Sequence, residues 1–406
     1  MPAKKEVFIK PIWGLALLLF FAFSTFPNSI ASAAEVDKPL VIGLDADMSS
    51  ASAMAGQSIQ RGALIAIHEI NGQGGVLGRP LTLETRDHRG SPIRGKDNVE
   101  ELVKTPDLVA ILGGLHTPVA LEVLPIINEN HVPFLIPWAA GTPIIDNGHS
   151  PNYVFRVSVR DAFAGKFLID TALDAGYRRP GLLLENTGWG RSNLKAMTEA
   201  AVAHGLQPPP VQWFNWGVKD LTEGIFALKE SEADVILLVA NPPEGLVLVD
   251  SMVTMSSESR LPIISHWGIT GGNFQHLAGS KLTKVELSFL QTFNFTNPPF
   301  PKRAEKLFSN YKQLFPEYEK AQDIPAAPGL VHAYDLVYLL AKAITKANST
   351  DTAAIRDALE EVEHYSGIMA DYNPPFTKKR HDALGPESFH MYRYDQHGNI
   401  IPSSNQ

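Results

Sequence analysis

Residues 109–138 read VAILGGLHTPVALEVLPIINENHVPFLIPW, in which two short apolar runs flank a longer stretch. The runs VAILGG (109–114) and VPFLIP (132–137) have the length and composition of buried β-strands. Between them, Pro118 suits the first turn of a helix, and Thr117 can accept hydrogen bonds from the free amides of that turn. This stretch therefore predicts a strand, a helix capped by Thr117 and a second strand.

The same alternation of short apolar runs and helical stretches extends on both sides of this unit. Before it lie LVIGL (40–44), a predicted helix at 56–71, LTLET (81–85) and a predicted helix near 93–104. After it, a second series has the strands GLLLE (181–185), DVILLVA (234–240) and LPIISHW (261–267). Repeated strand and helix units favour a parallel sheet covered by helices on both faces. Two such series predict an α/β protein with two lobes.

The last third of the chain is predicted to be mainly helical. Helices are expected near 301–315, 329–347 and 351–363. The segment SFHMYRYDQHGNIIP (388–402) has the pattern of a terminal hairpin. The proline-rich segments NPPFP (297–301) and YNPPF (372–376) are typical of connections.

Composition limits the classes of function. The chain has 406 residues, of which 44% are hydrophobic and 19% charged, enough for a sizeable core and two domains. Its net charge of −8 offers no electrostatic footprint for nucleic acid, so no nucleic-acid partner is expected. The absence of cysteine excludes disulfides, thiolate metal sites and a lipid-modified N-terminal cysteine.

Residues 1–34 have the pattern of a cleaved secretory signal peptide. Lys4, Lys5 and Lys10 precede the apolar run IWGLALLLFFAF, which leads to the small residues SIASAA (29–34). The run is short for a membrane span and no stop-transfer pattern follows, which favours cleavage over an uncleaved membrane anchor. The mature protein, with a net charge of −10, is expected to be periplasmic.

No sequence motif indicates catalysis or a metal site. The patterns GxSxG, HExxH and GxxxxGK are missing, and GQGGVLG (72–78) lies between a predicted helix and a strand, which is the wrong context for a dinucleotide. His68 and Glu69 lack the second histidine of a zinc site, and the other histidines are scattered. We therefore expect no enzyme, no metal and no cofactor.

Six segments, in their order and spacing, resemble the type I periplasmic binding proteins of branched-chain amino acid and amide ABC importers. They are VIGLDADMSSASAMAGQSIQRGALIAIHEINGQGGVLGRPL, AILGGLHTPVAL, VPFLIPWAAGTP, YVFRV, LLENTGWGRSN and GLVHAYDLVYLLAKAI. The resemblance covers nearly the whole mature chain. It implies two α/β lobes joined by three crossover hinge segments, with a ligand enclosed when the lobes close.

Carried onto this chain, the resemblance implies an N-terminal lobe of 35–156 plus 294–366 and a C-terminal lobe of 157–293 plus 367–406. It also implies a small-molecule ligand and an ABC permease in the inner membrane as partners. The protein is expected to act as a monomer.

Three tryptophans are predicted to lie where the two lobes face each other. Ligands of open α/β sheets bind beyond the carboxyl ends of the strands. Trp138 follows one predicted strand, Trp189 lies in the loop after another, and Trp267 ends a third. The alternative is that these tryptophans are ordinary core or rim residues.

The resemblance assigns further roles by position. Thr117 occupies the place of a hydroxyl residue that holds the ligand carboxylate at a helix start, where free amides favour an anion. The segment 137–140 lacks the threonine that the family carries there, unless Thr142 replaces it. Trp189 replaces a tyrosine that covers the ligand, and Trp267 replaces an acidic residue that pairs with the ligand's ammonium.

The expected ligand-binding residues are His116, Thr117, Trp138, Ala139, Ala140, Trp189, Asn241 and Trp267. The missing acid could be supplied by Asp45, Asp47 or Glu244, although the sequence does not show that they reach the cleft.

These residues predict a periplasmic receptor for a small apolar or aromatic carboxylate, because an ammonium group would lack its partner. A branched-chain amino acid, an amide or a quaternary ammonium compound is the alternative ligand. Ligand sensing for a signalling partner is the alternative to transport.

We predict that export removes the first 33 or 34 residues and leaves no lipid anchor, because small residues end the apolar run and the chain has no cysteine. Mass spectrometry of protein from the native periplasm should give a mature N-terminus near Ala34 or Glu35. An N-terminus at Met1 would contradict this prediction.

Overall fold

The computed structural model describes residue 8 and residues 38–403. Apart from residue 8, the expected signal peptide lies outside the described residues, as do residues 404–406. No helix within 38–403 combines the length and apolarity needed to cross a membrane.

A parallel five-stranded sheet forms from the first predicted series. Its strands are β1 (Leu40–Ala46), β2 (Leu81–Asp87), β3 (Leu108–Gly113), β4 (Phe134–Ile136) and β5 (Val154–Arg156). They lie in the order β2-β1-β3-β4-β5, with every neighbouring pair parallel. The strand predicted around VAILGG is β3, and all of its residues are buried.

The second series builds a larger sheet. Its parallel strands are β6 (Pro180–Glu185), β7 (Val211–Phe214), β8 (Val235–Val239), β9 (Ile263–Ser265) and β10 (Leu287–Gln291). A small separate hairpin, β11 (Tyr365–Ser366) and β12 (Asp371–Tyr372), precedes the predicted terminal hairpin, β13 (His390–Tyr394) and β14 (Ile400–Pro402). β13 pairs antiparallel with β10, so the second sheet is mixed at this edge.

Helices cover both faces of the sheets. The longer ones are α1 (Ala53–Gly72), α2 (Pro92–Leu102), α3 (Thr117–Glu129), followed by the short α4 (Thr142–Ile145), then α5 (Asp161–Asp174), α6 (Gly188–Ala203), α7 (Thr222–Glu230) and α8 (Pro242–Thr254). After the short α9 (Phe274–Ala278) come α10 (Pro301–Leu314), α11 (Ala327–Ala347) and α12 (Thr352–Leu359). In β6, Leu182 and Leu184 pack into one apolar cluster and Leu183 into another, so both faces are covered. This explains why the strands are continuously apolar.

The chain crosses between the sheets three times within 38–403. It leaves the first sheet after β5, returns after β10 to the helices that pack on α1, and crosses again before β13. At the first and third crossings the backbones touch: Arg156 N–H donates to His381 O (2.8 Å) and Ala383 N–H donates to Arg156 O (2.9 Å). The predicted lobe boundaries fall near these crossings and remain a prediction. α12 ends at Leu359, before the predicted position 363.

Helices α1 and α11 approach each other closely at Gly62. A Cβ placed on Gly62 would lie 2.0 Å from the carbonyl oxygen of Leu330 and 3.0 Å from its Cα. Backbone atoms cannot move aside as a flexible side chain can. Only glycine therefore permits this contact between the helices.

We predict that Gly62→Ala lowers the free energy of unfolding by about 1 to 3 kcal/mol, because the added methyl forces α1 and α11 apart. The matched control is Gly72→Ala at the end of the same helix, where an added Cβ meets nothing within 4 Å. Urea unfolding of both variants measures the difference. Equal stability of the two variants would contradict the prediction.

Candidate functional site

A small cavity lies between the carboxyl ends of the two sheets. All eight residues expected from sequence line it: His116, Thr117, Trp138, Ala139, Ala140, Trp189, Asn241 and Trp267. Leu115, Pro118 and Glu185 complete its lining. The free volume is only about 10 Å³. In this arrangement the side chains from the two lobes fill the space between them.

The helix start at Thr117 is built differently from the prediction. His116 precedes the first helical residue, and the Thr117 side chain does not cap the helix. Its Oγ1 accepts instead from the N–H of Gly141 (3.2 Å), which ties α3 to the Trp138 loop (residues 138–141). The first i→i−4 bond of α3 runs from Ala120 N–H to His116 O (3.0 Å). The amides of Thr117 and Val119 precede it and remain suited to an anion.

The Trp138 loop is held by buried hydrogen bonds. Ser158 Oγ donates to Trp138 O (2.7 Å), and the N–H of Ala139 donates to Gly114 O (3.0 Å). Arg156 Nη1 donates to the carbonyls of Ala139 (3.2 Å) and Gly141 (3.0 Å). The loop is therefore fixed along its whole length.

Thr142 does not replace the missing threonine of the site. Its Oγ1 accepts from Ala162 N–H (2.9 Å) at the start of α5, and its own N–H donates to Ser192 Oγ (3.0 Å). Thr142 is also not among the residues that line the cavity. The apolar character expected at Ala139 and Ala140 therefore stands.

Two tryptophans stack across the cleft. Trp138 follows β4 of the first sheet, and Trp267 follows β9 of the second and opens a 3-10 turn (Trp267–Gly271). Their ring centroids are 4.5 Å apart with an interplanar angle of 17°. Both side chains are buried. A ligand that enters between the lobes must part this stack.

Asp161 lies beside two further aromatic side chains at the cleft, Trp189 and His266. The indole Nε1 of Trp189 donates to Asp161 Oδ1 (3.1 Å). His266 Nε2 lies 3.2 Å from the same oxygen, and His266 Nδ1 accepts from Trp267 N–H (2.9 Å). The histidine proton is thus assigned to Nε2, facing Asp161. Asp161 therefore holds the Trp189 indole by a hydrogen bond, and His266 Nε2 lies close to the same carboxylate without a hydrogen bond to it.

Glu185 is a cavity residue that sequence reasoning missed. It ends β6 and is 0% exposed. Its carboxyl accepts from three neutral donors: Thr187 Oγ1 (2.5 Å), Trp216 Nε1 (2.9 Å) and Asn241 Nδ2 (2.8 Å). The signal was present in the sequence, since GLLLE ends in a carboxylate just before the GWG loop. The pattern by itself indicates only the end of a strand at this residue.

Burial raises the pKa of Glu185 to about 7. The hydrogen bonds from Thr187 and Trp216 oppose this rise, whereas the charges of Glu244 and Asp161 add to it. The carboxyl therefore titrates near neutral pH, and a cationic group placed beside it would favour its ionised form.

The three acids considered from sequence do not line the cavity. Asp45 accepts from Asn98 Nδ2 (2.7 Å), and Glu244 accepts from Gly217 N–H (3.0 Å). Asp47 accepts from Ser52 N–H (2.9 Å), and its Oδ2 lies 3.6 Å from Nε2 of the cavity residue His116. Among the described residues, no cluster of three or more His, Asp and Glu has a metal-binding arrangement.

Comparison with known proteins agrees with this architecture. The model of the family described as "Periplasmic binding protein" matches residues 39–398. The "Leu/Ile/Val-binding protein homolog 3" of Brucella melitensis is 25% identical over 399 residues, covering 95% of this chain and 99% of that protein.

Two solved structures share the fold. A branched-chain amino acid transporter substrate-binding protein of Streptococcus pneumoniae, in complex with isoleucine, has a TM-score of 0.73 at 19% identity and covers 90% of this chain and 100% of that one. A solute-binding protein from R. palustris, in complex with 4-hydroxybenzoate, has a TM-score of 0.73 at 18% identity and covers 90% and 96%. The chain belongs to the periplasmic binding protein family, with the type I fold of the branched-chain amino acid ABC transporter proteins.

Proposed function

We propose that this protein is a periplasmic receptor that encloses a small ligand between its lobes and delivers it to an ABC permease in the inner membrane. The observation that carries the proposal is the convergence of residues from both sheets on one cavity. The type I family supports it, since its members are substrate-binding components of transporters. The stacked indoles require the lobes to open before a ligand enters.

We further propose an α-amino acid with an apolar or aromatic side chain as the ligand. Glu185 offers a buried carboxylate whose bonds come only from neutral donors, so a ligand ammonium can pair with it. The α3 amides and the Thr117 hydroxyl can hold the ligand carboxylate. Trp138 and Trp267, once parted, present apolar faces to the side chain. The names of the Brucella and Streptococcus proteins support the same class.

The predicted apolar or aromatic carboxylate is the second candidate. It follows from Trp267 standing where the family resemblance implies an acidic residue, whereas Glu185 supplies a carboxyl elsewhere in the lining. The R. palustris protein, whose structure is in complex with 4-hydroxybenzoate, supports this ligand class. A quaternary ammonium compound over the indole faces is a third possibility. Receptor function as a sensor would use the same site, and we propose no catalytic activity.

We predict that L-leucine or L-phenylalanine binds the mature protein more tightly than benzoate, short amides or betaine. Binding must part the Trp138–Trp267 stack, so tryptophan fluorescence should change with the ligand. Isothermal titration calorimetry gives the affinities of the same panel. Tight binding of benzoate with no response to either amino acid would overturn the amino-acid proposal in favour of the carboxylate.

We predict that Glu185→Gln weakens amino-acid binding about tenfold to a hundredfold, because a charge-assisted hydrogen bond is lost. In the wild type, only the ionised carboxyl pairs with the ammonium, and its pKa before binding is about 7. Apparent affinity should therefore rise as pH rises through 7, being about tenfold weaker at pH 6 than at pH 8.

Glu185→Gln should lose this pH dependence. Asp45→Asn is the matched control, because Asp45 is also a buried carboxyl but lies outside the cavity lining. Calorimetric titrations at pH 6, 7 and 8 make the comparison. Equal pH profiles for the wild type and Glu185→Gln would remove Glu185 from the binding site.

A further inference from the structure

Trp216 lies outside the set of cavity residues, yet it contacts both sides of the cleft. It follows β7 of the second sheet and is 38% exposed. Its indole Nε1 donates to Glu185 Oε2 (2.9 Å). Its ring centroid lies 5.5 Å from that of His116, which belongs to the first lobe, at an interplanar angle of 58°. One side chain therefore joins the buried carboxyl of one lobe to the cavity rim of the other.

The loop that carries Trp216 is held in place by its backbone. Asn186 N–H donates to Phe214 O (2.7 Å) before it, and Gly217 N–H donates to Glu244 Oε1 (3.0 Å) after it. Gly217 has φ +80°, which favours glycine at this turn. The position of the indole over Glu185 is thus set by the loop and not by the ring alone.

The first lobe provides a matching surface. A Cβ placed on Gly90 would lie 3.7 Å from His116 Nε2 and 3.9 Å from Trp216 Cζ3. Gly90 has φ +72°, so its backbone turns beneath the two rings. Because His116 belongs to the first lobe and Trp216 to the second, separation of the lobes would break the contact between their rings.

We propose that Trp216 is a positioning residue that couples lobe closure to the ligand-binding carboxyl: its ring rests on His116 of the first lobe while its N–H orients Glu185 of the second. The proposal deepens the proposed function, on which it rests. Thr187 and Asn241 hold Glu185 from within the second lobe alone. Trp216 donates to Glu185 and also touches the first lobe, so closure packs His116 against the same ring whose N–H holds the carboxyl.

The first test follows the ionisation of Glu185 without any ligand. Trp216→Phe keeps an aromatic ring against His116 but removes the N–H that favours the carboxylate. We expect the pKa of the Glu185 carboxyl, followed by ¹³C NMR of labelled glutamate side chains, to rise by about 1. The other charged or titratable groups that face it, Glu244, Asp161 and His116, are unchanged in this variant.

The matched control is Trp213→Phe. Trp213 is 40% exposed on β7, the edge strand that precedes Trp216, and its indole makes no hydrogen bond to Glu185 among the described contacts. Glu185 should titrate as in the wild type in this control. An unchanged titration of Glu185 in Trp216→Phe would overturn the positioning role.

The second test measures the bridge between the lobes, again without ligand. Because the chain contains no cysteine, Ile93→Cys on α2 and Phe226→Cys on α7 can carry unique spin labels, and both positions are exposed. Pulsed electron–electron double resonance measures the distances between the two labels. The distribution should shift to longer and broader distances in Trp216→Ala and stay unchanged in Trp213→Ala. Identical distributions in the wild type and Trp216→Ala would overturn the bridge. Both tests are made without a ligand. A negative result in the ligand-binding measurements therefore bears on the proposed function and leaves these two tests valid.

Discussion

The buried ion pair between Arg156 and Asp382 is the interaction on which the geometry of the site depends. Arg156 is fully buried, and its Nε lies 2.5 Å from Asp382 Oδ1, while Arg160 binds the second oxygen at 2.8 Å. Burial opposes ionisation of Asp382, but the two guanidinium groups hold its pKa below the usual range. Breaking such a pair would leave an uncompensated buried charge. The same guanidinium of Arg156 also holds the carbonyls of Ala139 and Gly141, so one group fixes two crossovers and the Trp138 loop.

The cavity is lined by residues from both lobes. The first lobe presents the start of α3 and the Trp138 loop, and the second presents Glu185, Trp267 and the Trp189 indole that Asp161 holds. The lining combines apolar and aromatic side chains with one buried carboxyl, an arrangement that is common in small-molecule sites. The stacked indoles of Trp138 and Trp267 occupy the space between the two lobes, where the cavity has only about 10 Å³ of free volume.

Much of the site was predictable because ligands of α/β sheets bind at the carboxyl ends of strands, and strand ends can be read from local patterns. That rule predicts that His116, Trp138 and Trp267 lie close together, and all three line the cavity. The same rule covers Glu185, which ends β6, but a local pattern does not show the direction in which its side chain points, and Glu185 is absent from the expected ligand-binding residues. The predicted cap at Thr117 was also wrong, because the hydroxyl found a partner at Gly141, 24 residues away in sequence.

Local sequence patterns were enough to predict the two series of strands and helices and the strand ends that border the cleft, because periodicity and composition encode secondary structure. The order and spacing of six segments were enough to indicate the family. The tertiary structure alone decided which acid lines the cavity. Asp45, Asp47, Glu185 and Glu244 are equivalent as carboxylates in the sequence, and their roles diverge because different partners meet each of them when the chain folds. Glu185 ends β6 at the cavity and is held there by Trp216 and Asn241, 31 and 56 residues away, and contacts at such separations leave no trace in a local pattern.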